Sequence, residues 1–475
     1  MNPKNSKRKI LIIGGVAAGT SAASKARRTD SNADIKIIQE ESLVAYGSCG
    51  MPYVIEGKIN NFNKLIARSI EEFKNKYNIE IFVNTKAVRI DTFKKRVYTK
   101  NLQDKKRKIF DYTSLIITTG ARSVIPKIKG LSLDNQNKIK GIFFLRNFED
   151  GVNIQNYLKN VKSIIVVGTG LIGSEMVEAF RLRGKSVIFI GNKDRILANI
   201  LDKDMAEIVV KELYKNGIKV ILDEKVEQIL FHKSENKNSP ISIEGIQTSK
   251  EKIYADCVLF GVGIKPNSEI ASEAGIKLGI HDAIKVDEYM RTNVADVYAA
   301  GDCATAYNYV TKTDTYLPLG TTANKQGRIA GENAAGGNTK FAGIAGSAIT
   351  KIFGLYVGKT GLNKEEALKN GFDPVEHTIE DITRAGYYPD NKKLWIKLIA
   401  DKKSRKVLGA QIVGGEAVKG RLDLISFALL KHASVDDLKN YDACYVPPVS
   451  PVWEPINIAA AQISKLLSRS TVIKH

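Results

Sequence analysis

The chain has 475 residues, 43% of them hydrophobic, and 38 glycines, which fits about two or three globular α/β domains and excludes a disordered protein. Its formal net charge of +21 is carried by lysines spread along the chain and concentrated in hairpin-like stretches at 94–108 and 233–252; without an aromatic-interleaved basic stripe or a nucleic-acid motif, this reads as a solvated surface and not a nucleic-acid partner. Four distant cysteines and five histidines without ligand spacing exclude a disulfide framework and a metal site and fit a reducing, cytoplasmic setting, and no apolar run reaches the ~18 residues of a membrane helix.

Residues 9–28 read KILIIGGVAAGTSAASKARR. A short apolar run enters a glycine turn and a small-residue helix leaves it, as in the first half of a βαβ dinucleotide unit. The basic residues and apolar run also imitate a signal peptide, but a second copy of the motif further along favours the dinucleotide reading. Glycine is needed where backbone meets a pyrophosphate and where helix packs on strand. Gly14, Gly15 and Gly19, with Val16, Ala17 and Ala18 between them, form the candidate cradle. Val16 stands where G-x-G-x-x-G has its middle glycine. The next strand, 35–38, runs into Gln39, Glu40 and Glu41; Glu40 is chosen to hold ribose hydroxyls, with the register open by one residue.

Residues 45–53 read AYGSCGMPY. Pro52 suits the first turn of a helix. Cys49 then sits at or just before a helix N-terminus, where the dipole favours a thiolate. Only a thiolate attacks sulfur, so Cys49 is the candidate redox centre. Taken alone, a cysteine among small residues is more often an apolar filler.

A basic hairpin is expected over 86–112. Residues 115–122, LIITTGAR, form a strand whose turn at Thr119 and Gly120 either meets a nucleotide or leaves for a linker. Residues 163–191 contain a complete second unit: Gly168, Gly170 and Gly173 fit G-x-G-x-x-G, and Leu171 and Ile172 open the helix. Its second strand ends at Gly191, without the acid that excludes a 2′-phosphate, and Asn192, Lys193 and Arg195 follow. NADPH, or dual use, is expected. CVLFGVGIKPN (257–267) is a strand ending in a turn at Gly263. TNVADVYAAGDCAT (292–305) runs into Gly301 and Asp302, where the aspartate either binds a polyol or caps a helix. A small-residue helix spans 318–336. From 341 alternating strands (395–399, 407–413), a helix (422–431), a proline-rich strap (445–455) and a last helix (456–467) are expected.

Two dinucleotide units, TTGAR, GVGIKPN and AAGDCA occur in the order typical of the pyridine nucleotide–disulfide oxidoreductases, and the whole chain resembles that family. The resemblance implies an α/β fold with two Rossmann-like domains, for FAD and NAD(P)H, plus a C-terminal α+β dimerisation domain. It divides the chain into an FAD domain in two parts (1–125 and 262–340), an NAD(P)H domain (126–261) and a dimerisation domain (341–475), and implies a homodimer. The paired C-x-x-x-x-C is missing: Val44 and Val54 lie where a partner to Cys49 would be. This points to the single-cysteine branch of coenzyme A-disulfide reductases, NADH oxidases and NADH peroxidases. The first glycine loop lacks the histidine usual in the oxidases and peroxidases. VAAG, Arg27-Arg28, SCGMPY, AGYYP (385–389) and YVPPVSPVWEP resemble the coenzyme A-disulfide reductases.

Carried over by resemblance, Cys49 forms a mixed disulfide with coenzyme A. Tyr445 and one of Tyr387 or Tyr388 reach the site from the other subunit, and Lys25, Arg28 and Ser48 contact coenzyme A. Ala45, Tyr46 and Gln39 depart from the usual pattern. The implied function is electron transfer from NAD(P)H through FAD and Cys49 to coenzyme A-disulfide or a related disulfide or polysulfide. The alternatives are an NAD(P)H oxidase working through a cysteine sulfenic acid and a slow-turnover flavin redox sensor.

Overall fold

Isoleucine-rich runs of four or five residues and one three-residue strand build the first sheet, its central strands buried on both faces as parallel sheets covered by helices require. Its order is Val297–Ala299, Ser114–Ile117, Lys9–Ile13, Asp34–Ile38, Ile79–Phe82, every pair parallel. The computed structural model describes residues 7–132, 134–136, 139–232 and 241–472. Helices Ala17–Thr29 and Gly320–Ala334 pack tightly on one another because glycine meets backbone at two points. A Cβ at Gly327 would lie 2.3 Å from the Ala18 carbonyl oxygen, and one at Gly331 2.1 Å from that of Ala22.

The chain leaves this sheet through a two-stranded ribbon, Ala121–Ser123 against Ile264–Pro266. Between the two ribbon strands lies a second parallel sheet, ordered Lys219–Ile221, Ser186–Ile190, Ser163–Val167, Cys257–Phe260, Ile142–Phe143. The second unit is therefore inserted before the last strand of the first sheet. The expected basic hairpin is a three-stranded antiparallel sheet, Thr85–Asp91, Arg96–Asn101 and Arg107–Asp111. The other lysine-rich stretch contributes Ile243–Thr248 and Lys252–Tyr254; its residues 233–240 lie outside the described residues.

The C-terminal part is an antiparallel sheet ordered Ala348–Ile352, Leu355–Gly361, Val407–Gly414, Lys393–Asp401, Pro374–Ile382. Helices Val418–Leu430 and Pro455–Val472 share its core through Leu422, Ile425, Ile456 and Ile463. The proline-rich strap has no regular structure over 441–450 and exposes Tyr445, Val446, Val449, Val452 and Trp453. A buried bidentate pair, Arg421 to Glu454 at 2.5 and 2.8 Å, ties its end to the domain. Among the described residues no helix is long and apolar enough to cross a membrane.

Candidate active site

The first cradle is built by contacts that only glycine allows. Gly14 has φ +103°, and a Cβ there would lie 2.1 Å from the Thr118 carbonyl oxygen. A Cβ at Gly19 would lie 1.9 Å from the Gly14 oxygen, so strand and helix close up. The Thr118 hydroxyl donates to the Ile13 oxygen at 2.8 Å and fixes the turn. Helix Ala17–Thr29 starts from Val16 without a side-chain cap, which leaves its first amides to an outside acceptor.

The strand-end residue facing this turn is Gln39. Its Oε1 accepts from the Gly15 amide at 2.7 Å, and the side chain is buried. The expectation for Glu40 is corrected. Its carboxylate turns outward to Lys86, 2.9 Å away, with both side chains about half exposed. Successive residues of a strand point to opposite faces, so a register error of one reverses the assignment.

The cysteine segment hangs from the same turn. The Ala45 amide donates to the Gly15 oxygen at 2.9 Å. Tyr46 donates to Glu41 at 2.8 Å and packs edge-on against Phe148. Cys49 lies in the single turn Ser48–Gly50, directly before helix Met51–Glu56, with Pro52 in the first turn as the sequence requires. The residue is exposed, but protein surrounds it on a longer scale. That burial, and then the charge of Glu175, push its pKa up; Ser48 and Arg146 pull against them. The expected easy ionisation is therefore corrected for the chain by itself. A helix of six residues has a small dipole, and it does not outweigh a neighbouring carboxylate.

Asp302 follows Gly301, whose φ is +82° and whose amide donates to Gln326. Its carboxylate caps no helix; it pairs with Arg146 Nη2 at 2.7 Å. Tyr316 donates to the Asp302 carbonyl at 2.9 Å. Thr119 and Gly120 sit where the chain crosses between units, with the Thr119 oxygen receiving Asn267 Nδ2 at 3.0 Å and Gly120 at φ +67°.

In the second cradle, Gly168 (φ +106°) and Gly173 are closed by backbone at 2.4 and 1.9 Å from the Cβ each lacks. Gly170 is different: a Cβ there would meet nothing within 4 Å, and the same holds at Gly263, where φ is +115°. Helix Leu171–Leu182 also starts uncapped, with Ile172 exposed at its first turn. Arg195 is not free for a phosphate. It donates to the Leu201 oxygen at 3.0 Å and pairs with Asp194 at 2.8 Å, which leaves Lys193 as the exposed cation beside Gly191.

Lys25 pairs with Glu332 at 2.9 Å, Arg28 is exposed and Ser48 half-buried. Tyr387 and Tyr445 come together, hydroxyl to hydroxyl at 3.1 Å, while half-buried Tyr388 accepts from Asn391 through its carbonyl. Arg146, Glu175, Tyr316 and Gln326 surround the site unannounced by any motif, with Gln39 marked only as the neighbour of Glu40. Glu175 alone had a signal, its place in the second turn of the second glycine helix. Among the described residues no cluster of His, Cys, Asp and Glu suits a metal.

Tight glycines at the turn, open space at Gly170 and Gly263 and uncapped helix starts form cradles into which dinucleotide phosphates fit. The fold thus defines an oxidoreductase that takes two dinucleotides, with an exposed cysteine tethered to the first cradle. The family model for pyridine nucleotide-disulphide oxidoreductases matches residues 8–327, and that for their dimerisation domain matches 347–455. The chain belongs to the pyridine nucleotide–disulphide oxidoreductase family; its cofactors are FAD and NAD(P)H, and its dimerisation domain supports a homodimer.

Over 465 residues the chain is 38% identical to an NADH oxidase of Methanocaldococcus jannaschii, covering 97% of this chain and 99% of that one. Over 456 residues it is 36% identical to a CoA-dependent NAD(P)H sulfur oxidoreductase of Pyrococcus abyssi, covering 96% and 98%. Among solved structures, reduced CoADR-RHD of Bacillus anthracis superimposes with a TM-score of 0.91 at 30% identity, covering 98% of this chain and 81% of that one. An NAD-dependent persulfide reductase from A. fulgidus gives 0.90 at 34% identity, covering 98% and 84%.

Proposed function

We propose that the chain passes electrons from NAD(P)H, by way of FAD and Cys49, to coenzyme A-disulfide or a related disulfide or polysulfide. The carrying observation is the position of Cys49: exposed, tied through Ala45 to the Gly15 turn, and without a disulfide partner. An exposed cysteine without a disulfide partner takes its oxidising sulfur from outside. The CoA-dependent naming of the Pyrococcus abyssi relative supports coenzyme A as the thiol.

Residues 1–125 and 262–340 would hold FAD, through the loop Gly14–Gly19 and through Thr119, Gly120, Gly301 and Asp302. Residues 126–261 would hold NAD(P)H through Gly168, Gly170, Leu171, Ile172 and Gly173, with Gly263 beside them. When bound, FAD supplies a two-electron relay between the nicotinamide and sulfur. The Cys49 thiolate attacks one sulfur of the disulfide, a new S–S bond forms, and the other half leaves as thiolate. Two electrons and a proton, arriving as the hydride of NAD(P)H, cleave the mixed disulfide and restore the Cys49 thiolate with release of the thiol. Tyr445 of the second subunit protonates the thiolate that departs in the attack and regains its proton from solvent; its hydroxyl lies 3.1 Å from that of Tyr387. Arg28, exposed and without an ion-pair partner among the described residues, suits the coenzyme A phosphates.

The second reading, favoured by the Methanocaldococcus jannaschii relative, is an NADH oxidase in which Cys49 cycles through a sulfenic acid. Mass spectrometry of the unreduced protein, with oxygen uptake measured against coenzyme A-disulfide consumption, decides. A coenzyme A adduct on Cys49 and disulfide turnover support the first reading. Oxygen uptake with an oxidised, adduct-free Cys49 supports the second.

A further inference from the structure

The C-terminal sheet carries a polar row across four strands. Lys359 is in register with Gln411, Gln411 with Lys397, and Lys397 with Thr378. One pleat along the same face, Val357, Val413 and Trp395 pack into the core shared with Leu197, Ile200, Leu201 and Met205 of the second unit. The row itself is nearly dry: the Lys397 side chain is 4% exposed, Lys359 7%, and Gln411 is fully buried. Two buried lysines are costly, and apolar replacements of such pairs are often as stable or more so. Stability alone therefore does not explain the row.

Every member reaches one short segment. Lys359 Nζ donates to the Asn199 oxygen at 3.2 Å and is also paired with Glu366 of its own domain. Gln411 accepts from the Asp202 amide at 2.7 Å and donates to its carboxylate at 2.8 Å. Lys397 Nζ lies 2.6 Å from Asp204 and 3.3 Å from Asp202, and Thr378 donates to Asp204 at 3.3 Å. Glu365 adds a looser pair to Arg195 at 3.5 Å. The gripped segment, Asn199 to Asp204, closes the loop that starts at Gly191, the strand end that meets the adenosine ribose of a nucleotide in the second cradle. Midway along it, the Leu197 amide donates to the oxygen of Thr169, inside the glycine turn itself, at 2.7 Å.

We propose that this row is a positioning device: the C-terminal sheet holds the loop 191–202 against the second glycine turn and so sets the affinity for NAD(P)H, without acting on the chemistry at Cys49. The inference rests on the assignment of NAD(P)H to the second cradle. Its residues are positioning residues, acting through the loop.

The test uses the flavin-loaded enzyme with NADH, NADPH and coenzyme A-disulfide, comparing Lys397→Met and Lys397→Arg with the wild type. The expected result for Lys397→Met is a rise in KM for both nucleotides of about 5-fold or more, with kcat, KM for the disulfide and flavin content kept, and partial recovery in Lys397→Arg. Should Lys397→Met fail to fold, the rim double variant Asp204→Asn/Glu365→Gln carries the same test, since both side chains are more than half exposed. Unchanged nucleotide KM overturns the proposal. So does a parallel loss of Tm and of every kinetic parameter, which marks a structural ion pair. Absence of NAD(P)H turnover in the wild type overturns the functional reading itself, and the proposal with it.

Discussion

Arg146 Nη2 lies 2.7 Å from Asp302 Oδ2, so an ion pair joins the segment entering the second sheet to the turn that closes the first. Both side chains are more than half covered, and the Arg146 Nε also donates to the Ala121 oxygen at 2.8 Å. Removing one partner leaves the other poorly solvated. Arg146→Met and Asp302→Asn, singly and together, should show a coupling of about 1–2 kcal/mol in a double-mutant cycle of unfolding. Additive effects would mean that the two groups do not hold the units together.

Glu175 is half-buried on the helix that packs against the cysteine helix, and it accepts from the Thr350 hydroxyl at 2.9 Å. Burial raises its pKa above 4.5. The folded state then binds the proton more tightly than the unfolded state. The stability this contributes is complete below pH 4.5 and is lost as pH rises through the folded pKa. Glu175→Gln should raise Tm by a few degrees at neutral pH and match the wild type in acid. A variant equal to the wild type at all pH values would contradict this.

Glu175 also raises the Cys49 pKa. In flavin-stripped protein, alkylation of Cys49, followed by peptide mapping to separate it from exposed Cys444, should accelerate with pH only above the ordinary thiol range. Glu175→Gln should move the curve to lower pH. In the loaded enzyme, Cys49→Ser should abolish disulfide reduction and leave bound flavin reducible by NAD(P)H. Full disulfide turnover in that variant would end the proposed role.

The glycines of the second turn should behave differently. Gly173→Ala forces a methyl to within 1.9 Å of the Gly168 oxygen and should prevent soluble expression or sharply lower Tm. Gly170→Ala points its methyl into open space and should fold normally. It fills the approach to the pyrophosphate, and nucleotide kcat/KM should fall by up to roughly 10²-fold. Equal stability loss in both would refute the distinction.

Nucleotide choice follows from Gly191 and the engagement of Arg195. With no strand-end acid and Lys193 as the exposed cation, both NADH and NADPH should be accepted. Lys193→Ala should raise KM for NADPH and leave that for NADH unchanged, as initial rates would report.

Much of the fold was legible because its signals are local. The run of isoleucine into Gly14, its repeat at Gly168 and the alternation after 341 each name an element through neighbours in the chain. The side chains of the site were less so. The expectation for Glu40 failed by one residue, since propensity says where a strand ends but not which of two adjacent side chains faces in. Cys49 was found by its context, but its ionisation was misjudged, because the burial that raises its pKa, and then the charge of Glu175, come from segments far away in the chain. Arg195 looked like a phosphate ligand until Leu201, Asp194 and Glu365 were seen to occupy it.

By itself the sequence determined the dinucleotide turns, their order and the solitary cysteine, since glycine's freedom, proline's fixed φ and hydrophobic period act over a few consecutive residues. Only the tertiary structure decided that Gln39 faces the first turn, that Arg146 meets Asp302, and that a polar row from Lys359 to Thr378 meets Asn199, Asp202 and Asp204. Those outcomes depend on Coulomb forces and desolvation between groups far apart in the chain, which have no values until packing sets their distances.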